Sequence, residues 1–155
     1  MVVAEYADLG AAVVALLRAS AGVCALVSGG AAGIVEGYDL DAQTLEAAQK
    51  TRTPGQVLAV QVIDMGEVQG GGAVECDVFL NDRRQGFTAI RAARAAVYAA
   101  VLNKPALLAD GAAAVMIKRR ARDGQLYLPQ FDLNYERVRL YAPLTFDDGA
   151  DRYGL

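Results

Sequence analysis

Two apolar segments joined by a glycine-rich turn constrain the fold of this chain more than any other feature. Residues 56–63 (QVLAVQVI) are apolar on both alternating faces, which is typical of a strand inside a sheet. Residues 73–80 (AVECDVFL) alternate, with Glu75 and Asp77 on one face, so we expect one buried and one solvated face. The glycines at 70–72 permit positive φ and a chain reversal. The pattern therefore predicts two neighbouring antiparallel strands.

A helix without a polar face is predicted over residues 87–102. At 100° per residue, bulky side chains share one side and alanines occupy the other. Such a helix is usually buried on both sides, so we expect one side to pack on the sheet. The other side is expected to meet a second helix or a neighbouring subunit. Arg94 falls within the bulky stripe and Arg91 beside it, so we predict that one of them finds a carboxylate, in its own chain or across a subunit boundary.

The remaining segments complete an α+β domain. Periodicity predicts helices over residues 3–19 and 41–50, a short strand at 34–38, and strands at 114–122 and 133–141. The interleaved charges of the last strand indicate that it is a sheet edge or faces a partner. We therefore predict a mostly antiparallel sheet of about four to five strands flanked by helices. The predicted organisation is one domain over residues 1–142 and a C-terminal extension over 143–155.

The composition excludes several classes of function. The absence of His removes the commonest general base and metal ligand. The net charge of -3 comes from 15 Lys and Arg against 18 Asp and Glu, which does not favour general nucleic-acid binding. Cys24 and Cys76 form no CxxC motif and are expected to be reduced and buried. No signal-peptide pattern opens the sequence, and its apolar runs fall short of the roughly 20 residues of a membrane span.

No catalytic constellation stands out in the sequence. Glu75 and Asp77 are neighbours on one strand face, and such a pair can do acid–base chemistry when buried. We favour a solvated sheet face or salt bridges to Arg91 or Arg94 instead. Without His, a Ser–His or Cys–His nucleophile is excluded within this chain. We therefore predict no catalytic, metal-binding or cofactor-binding residues and no enzymatic activity.

A glycine-rich segment at residues 28–33 (SGGAAG) has two interpretations. It loosely resembles a phosphate-binding loop, but it lacks the Lys-Ser/Thr ending of a nucleotide P-loop. It also lacks the G-x-G-x-x-G spacing of dinucleotide-binding loops. We therefore favour a plain turn.

A basic run and two tyrosines are candidates for an interface. Residues 118–122 (KRRAR) can contact phosphate or an acidic partner surface, although a solvated strand end explains them as well. Tyrosines nearby in the sequence are suited to anchoring a protein interface. The interface candidates are Arg83, Arg84, Arg91, Arg94, Lys118, Arg119, Arg120, Arg122, Tyr135 and Tyr141.

The order of the elements resembles a known family of assembly proteins. An amphipathic N-terminal helix leads through Gly37-Tyr38 and a helical link at 40–50 to an apolar strand after Pro54. A strand rich in Val and Phe, an Arg-rich connection at 83–84, an Ala-rich helix and a final Tyr-containing strand follow. This order, over residues 3–142, resembles the small tail-terminator or tail-completion proteins of tailed bacteriophages. It is most like the Mu-type terminator family and is similar to the tail-completion proteins of siphophages.

The resemblance implies a structural virion protein. Such proteins form a hexameric ring that caps the tail tube, fixes tail length and joins the tail to the neck of the head. The implied partners are further copies of the chain, the tail tube protein, the head–tail connector or stopper protein, and the sheath protein if the tail is contractile. DNA would only pass through the ring, and no membrane, cofactor or catalytic residue is implied. The implied location is the tail or neck of the virion, and the host cytoplasm during assembly.

The residues alone leave an alternative open. A small-ligand-binding or regulatory α+β domain, with its pocket near residues 29–33, fits the same pattern of elements.

Overall fold

The structure, a computed structural model, describes residues 5–37, 40–68, 71–83, 86–109, 115–129 and 132–144. At residues 115 and 121–123 the description is of the backbone. The elements in chain order are β1 (Glu5–Tyr6), α1 (Leu9–Ala19), α2 (Ala21–Cys24), a 3-10 turn (Gly30–Gly33), β2 (Ile34–Glu36), α3 (Ala42–Thr51), β3 (Ala59–Glu67), β4 (Ala73–Asp82), α4 (Thr88–Val101), β5 (Pro105–Leu108), β6 (Val115–Met116), β7 (Lys118–Leu128) and β8 (Leu133–Pro143).

The larger sheet has five strands in the order β2-β3-β4-β8-β7. β2 is parallel to β3, and every other neighbouring pair is antiparallel. The predicted α+β fold with a mostly antiparallel sheet is therefore confirmed, as is the antiparallel pairing of the two strands on either side of the glycine turn. A smaller sheet, in the order β1-β5-β6, is not indicated by the sequence pattern. Its strands have only two to four residues, too few to show a periodicity.

The last strand, β8, lies inside the larger sheet rather than at its edge. It pairs with β4 on one side and β7 on the other, so of the two predictions for residues 133–141, a sheet edge or a strand that faces a partner, the edge is wrong. The charges that suggested an edge are satisfied within the chain. Glu136 is fully buried against α4, and Arg137 and Arg139 lie beside Asp77 of β4. The edge strand on this side is β7.

Two predicted boundaries also differ from the observed ones. The first helix begins at Leu9 rather than near residue 3, because Asp8 caps it by accepting a 2.8 Å hydrogen bond from a first-turn amide. The strand predicted from residue 56 begins at Ala59. Val57 instead forms an isolated parallel bridge with Val27, which ties the strand entrance to the segment after α2.

The helices α1 and α4 cover one face of the larger sheet and enclose the main core. Its fully buried side chains include Leu9, Val13, Leu17, Val62, Val78, Leu80, Ile90, Val97, Val138 and Leu140. α1 approaches β3 closely at Gly10, whose amide donates a 3.0 Å hydrogen bond to Asp64 Oδ1. A Cβ at Gly10 would lie 2.9 Å from the Cβ of Asp64, so a larger residue would force the helix and strand apart.

One side of α4 is buried and the other is exposed in the single chain. The buried side carries Ala89, Ile90, Ala93, Val97 and Val101, which confirms the predicted packing on the sheet. α1 and α2 also contact this helix. The exposed side carries Arg91, Ala92, Ala95 and Ala99. Burial of that side by a neighbouring subunit stays a prediction.

The opposite face of the sheet, which we call the open face, is partly covered by α3. Leu45 of this helix packs with Leu58 and Leu133 in a second apolar cluster. Asp41 caps the helix, as its carboxylate accepts a 2.7 Å hydrogen bond from Thr44 N. Most of the open face beyond α3 is left to polar and aromatic side chains of β3, β4, β8 and β7.

The glycine-rich segment is a tight turn packed against α3. Ser28 Oγ donates a 2.6 Å hydrogen bond to the Ala48 carbonyl and lies 2.9 Å from Thr51 Oγ1. A Cβ at Gly33 would lie 2.2 Å from the Ser28 carbonyl oxygen, so glycine is required for the chain to close on itself here. The interpretation of residues 28–33 as a plain turn is confirmed. The Ser28 hydroxyl of this turn already donates to the backbone of α3.

Candidate functional site

The predicted interface residues fall on three parts of the molecule. Arg91 and Arg94 of α4 and the cations at the start of β7 lie along one side, which we call the basic edge. Tyr135 and Tyr141 lie on the open face of the sheet, and Arg83 lies near α3. Arg84 lies outside the described residues, and Arg122 is described by its backbone alone. The structure therefore does not gather the candidates into one site.

Arg94 forms a buried ion pair with Glu136. Its Nη1 donates to both carboxylate oxygens, at 2.9 and 3.0 Å. The Glu136 side chain has no solvent exposure and that of Arg94 has 19%. The prediction that Arg91 or Arg94 finds a carboxylate is therefore confirmed for Arg94, within its own chain. Arg91 is exposed, and its partner among the described side chains is Gln125 Oε1, at 3.5 Å.

The first cations of β7 have mostly neutral partners. Lys118 Nζ donates a 2.7 Å hydrogen bond to Asn103 Oδ1. The Arg119 guanidinium lies 5.2 Å from the centre of the Tyr98 ring, a cation–π contact. Arg120 reaches the open face and forms an ion pair with Glu75. Among the described residues, Lys118 and Arg119 have no carboxylate partner, so their charge is available at the surface.

Glu75 and Asp77 of β4 have separate arginine partners. Glu75 pairs with Arg120, and Asp77 lies 3.7 Å from Arg137 Nη1 and 3.6 Å from Arg139 Nε. The expected salt bridges to Arg91 or Arg94 are wrong, because α4 lies on the other face of the sheet.

The face of β4 predicted to be solvated is also largely covered. Asp77 is 2% exposed and Asn81 is 4% exposed. Burial raises the pKa of Asp77 above its ordinary value of 3.8, against the lowering effect of Arg139 and then Arg137. The Asp77 carboxyl is therefore covered and paired with two arginines, as in a structural charge cluster.

A groove of about 420 Å³ runs between α3 and the open face. Its lining is mainly apolar and consists of Leu40, Asp41, Ala42, Leu45, Gln61, Ile63, Phe79, Asn81, Arg83, Leu128, Leu133 and Tyr135. The rings of Phe79 and Tyr135 lie 6.1 Å apart at 40° and form part of its floor. Arg83 Nη1 bonds to Glu46 at 3.3 Å. The groove can take an apolar side chain or a small apolar molecule, with a few polar groups at its rim.

The described residues contain few groups suited to catalysis. In these ranges no three or more His, Cys, Asp or Glu side chains are placed to hold a metal ion. Burial raises the pKa of the Cys76 thiol well above its ordinary value, so it stays protonated. The described helices include none that is long and apolar enough to cross a membrane.

Sequence reasoning missed the residues that carry the internal electrostatics. Glu136, Arg137 and Arg139 were not singled out, although two arginines alternate along one face of β8. That spacing puts both on the face of Asp77 once β4 and β8 are known to be neighbours. The signal was present, but it required the strand order.

Comparison with known proteins identifies a shared fold. No protein-family model matches the chain, and no curated protein matches its sequence. Among solved structures, the fold is similar to that of a chain in the virion of a native gene transfer agent particle, with a TM-score of 0.56 and 20% sequence identity. The superposition covers 88% of this chain and 94% of that chain, so the similarity in fold extends over most of both chains.

Proposed function

We propose that this chain is a structural virion protein that caps the end of a tail tube as a hexameric ring. In this role it fixes tail length and joins the tail to the neck of the head. The observation that carries the proposal is the similarity in fold to a chain of a gene transfer agent virion, over 88% of this chain and 94% of that one. The order of elements along the sequence supports the same role.

Exposed surfaces on the single chain are consistent with an assembly subunit. α4 leaves a side of small residues exposed, and Leu126 and Tyr127 of the edge strand are 43% and 52% exposed. Arginines and tyrosines are the residue types enriched at protein interfaces. We propose that the interface candidates contact neighbouring proteins, apart from Arg94, whose charge is used inside the chain. Those candidates are Arg83, Arg84, Arg91, Lys118, Arg119, Arg120, Arg122, Tyr135 and Tyr141.

The proposed partners follow from the proposed position at the head–tail junction. They are further copies of the chain, the tail tube protein, the connector or stopper protein of the neck and, in a contractile tail, the sheath protein. DNA passes through the ring without base-specific contacts. The protein acts without a cofactor and without catalysis, in the virion after assembly in the host cytoplasm.

Tail length is the property that tests this proposal. Deleting the coding region should give particles with tails longer than normal and not joined to heads, seen by electron microscopy. Expressing the wild-type chain from a plasmid should restore a narrow length distribution. Tails of normal length, joined to filled heads in the deletion strain, would refute the role.

The groove favours a second candidate function, the binding of a small apolar ligand. A ligand that binds only the folded protein raises the melting temperature of the protein, and the rise grows with ligand concentration. The probe is the dye 8-anilinonaphthalene-1-sulfonate, titrated into the wild-type chain and into Ala42→Trp, whose indole fills the groove. Saturable binding to wild type that Ala42→Trp abolishes would support the ligand-binding role. Equal binding to both proteins would count against it.

A further inference from the structure

The helix α3 is attached to the rest of the chain less firmly than the other long helices. Of its ten residues, all of which the structure describes, Leu45 alone is buried. By contrast, α1 buries six of its eleven residues and α4 buries five of its fourteen. A helix of this length is only marginally stable by itself, so α3 depends on a few contacts to stay in place.

The C-terminal end of α3 is fixed by bonds to buried groups. Ser28 Oγ donates a 2.6 Å hydrogen bond to the Ala48 carbonyl and lies 2.9 Å from Thr51 Oγ1. Arg52, directly after the helix, forms an ion pair with Asp82 of β4, whose side chain is 2% exposed. Hydrogen bonds between charged partners are stronger than neutral ones. This end of the helix is therefore held on the sheet.

The N-terminal half of α3 is attached mainly by a small apolar cluster. Leu45 packs with Leu58 and Leu133, and Leu40, just before the helix, is partly buried against them. The main core beneath α1 and α4 is far larger. Because hydrophobic stabilisation grows with the apolar area that is buried, this cluster contributes much less than the main core.

The ion pair of this half of the helix is exposed to solvent. Glu46 accepts a 3.3 Å hydrogen bond from Arg83 Nη1, and the Glu46 side chain is 62% exposed. Exposed ion pairs contribute little to stability. The two ends of α3 therefore differ, with a firm attachment at the C-terminal end and a weak one at the N-terminal end.

Cavities lie on both sides of the line along which α3 touches the sheet. The groove of about 420 Å³ lies on one side, against Asp41, Ala42 and Leu45. A second cavity of about 230 Å³ lies on the other side, against Ala47 and Thr51 among others. Outward movement of the helix would join the two cavities, because only the narrow apolar contact separates them.

We infer that α3 is a lid on the open face, which swings outward about its fixed C-terminal end and uncovers Leu58 and Leu133. In the closed position the lid separates the groove from the smaller cavity. In the open position the two form one apolar trough, which admits a larger molecule or peptide segment than the groove does. This movement belongs to the free protein and does not depend on either proposed function.

Thiol labelling of the full-length protein measures whether residues beneath α3 become accessible without unfolding. Every protein carries Cys24→Ser, which leaves Cys76 as the native thiol. Leu58→Cys adds a thiol beneath α3, at a position that is 0% exposed, as Cys76 is in the main core. N-ethylmaleimide is added in excess, and mass spectrometry follows both thiols in the same molecules.

The thiol beneath the lid should react at least about a hundredfold faster than Cys76. A local opening costs less free energy than global unfolding, which Cys76 requires before it can react. Low concentrations of urea should hardly change the rate at Leu58→Cys, because the opening exposes little surface, whereas they should accelerate the labelling of Cys76.

Further variants assign the opening to α3. Leu133→Cys, on β8 beneath the same helix, should react at a rate similar to that of Leu58→Cys, and it tests the lid alone if Leu58→Cys does not fold. Glu46→Gln should speed labelling beneath the lid about 1.5- to 5-fold, because it removes the bond to Arg83. The matched control Lys50→Gln removes an exposed charge near the fixed end and should leave the rate unchanged.

Three results would overturn the lid. Equal rates and equal urea dependence beneath α3 and at Cys76 would show that the helix leaves the sheet only when the whole chain unfolds. Fast labelling at Leu58→Cys with slow labelling at Leu133→Cys would place the opening at the entrance to β3 instead. Equal effects of Glu46→Gln and Lys50→Gln would separate the opening from the contacts of α3. None of these results changes the tail-length test or the dye titration.

Discussion

Replacing Arg94 should destabilise the protein far more than replacing its exposed neighbour on the same helix. Glu136 has no solvent exposure, and Arg94 Nη1 is the hydrogen-bond donor to both of its oxygens. Arg94→Met keeps the aliphatic stem but leaves a carboxylate buried among apolar side chains. Breaking a buried pair by removing one partner costs about 3–5 kcal/mol. For a chain of this size that lowers the melting temperature by roughly 6–20 °C.

Three further variants separate the ion pair from the loss of packing. Glu136→Met should cost less than Arg94→Met, because the arginine is 19% exposed and can turn its charge toward water. The double variant Arg94→Met/Glu136→Met should lie within about 1 kcal/mol of wild type, since no charge is left buried. Arg91→Met is the control and should change stability by less than about 0.5 kcal/mol, because its side chain is exposed.

Urea unfolding of the four variants and wild type at neutral pH measures these free energies. The coupling between Arg94 and Glu136 follows from the double-mutant cycle. The reasoning is refuted if Arg94→Met costs no more than Arg91→Met, or if the double variant is as unstable as Arg94→Met alone.

Two other predictions concern stability. Gly10→Ala should cost about 1–3 kcal/mol in urea unfolding, because the added Cβ meets the Asp64 Cβ at 2.9 Å. The control Gly22→Ala should be neutral or stabilising, because the nearest atom to its added Cβ is 3.8 Å away. Equal effects of the two substitutions would contradict the close approach of α1 to β3. Burial raises the pKa of Asp77 in the folded state, so the folded chain holds a proton that the unfolded chain releases. The stability from this proton is fully present below pH 3.8 and is lost as pH rises through the folded pKa. Asp77→Asn should flatten that fall in acidic urea titrations, and an unchanged pH profile would refute the assignment.

The sequence predicted those parts of the fold that are long and periodic. β3, β4 and α4 each bury an extended apolar pattern, and the glycines between the two strands leave an antiparallel hairpin as the simplest connection. β1 and β5 were missed, and β6 was predicted as part of one strand over 114–122, because strands this short are specified by tertiary contacts rather than by local alternation.

The charge pairs among the candidate residues were harder to predict, because their partners lie far apart in the sequence. Arg94 and Glu136 are 42 residues apart, and Arg120 and Glu75 are 45 apart. A charged residue within a strand indicates a sheet edge when its partner is unknown. For that reason β8 was predicted as a possible edge, although it lies inside the sheet. Only the strand order shows that Glu136 points at α4 while Arg137 points at β4. The groove beside α3 depends in the same way on where that helix docks.

The position of β8 has a consequence for the order in which the chain can fold. β4 pairs with β8 over ten positions, yet β8 leaves the ribosome more than fifty residues later. Until then β4 has one unpaired edge and β7 has no neighbour in the larger sheet. Newly made proteins with open strand edges are prone to aggregate during synthesis. A nascent chain released before residue 133 would therefore be a substrate for chaperones rather than a smaller stable domain.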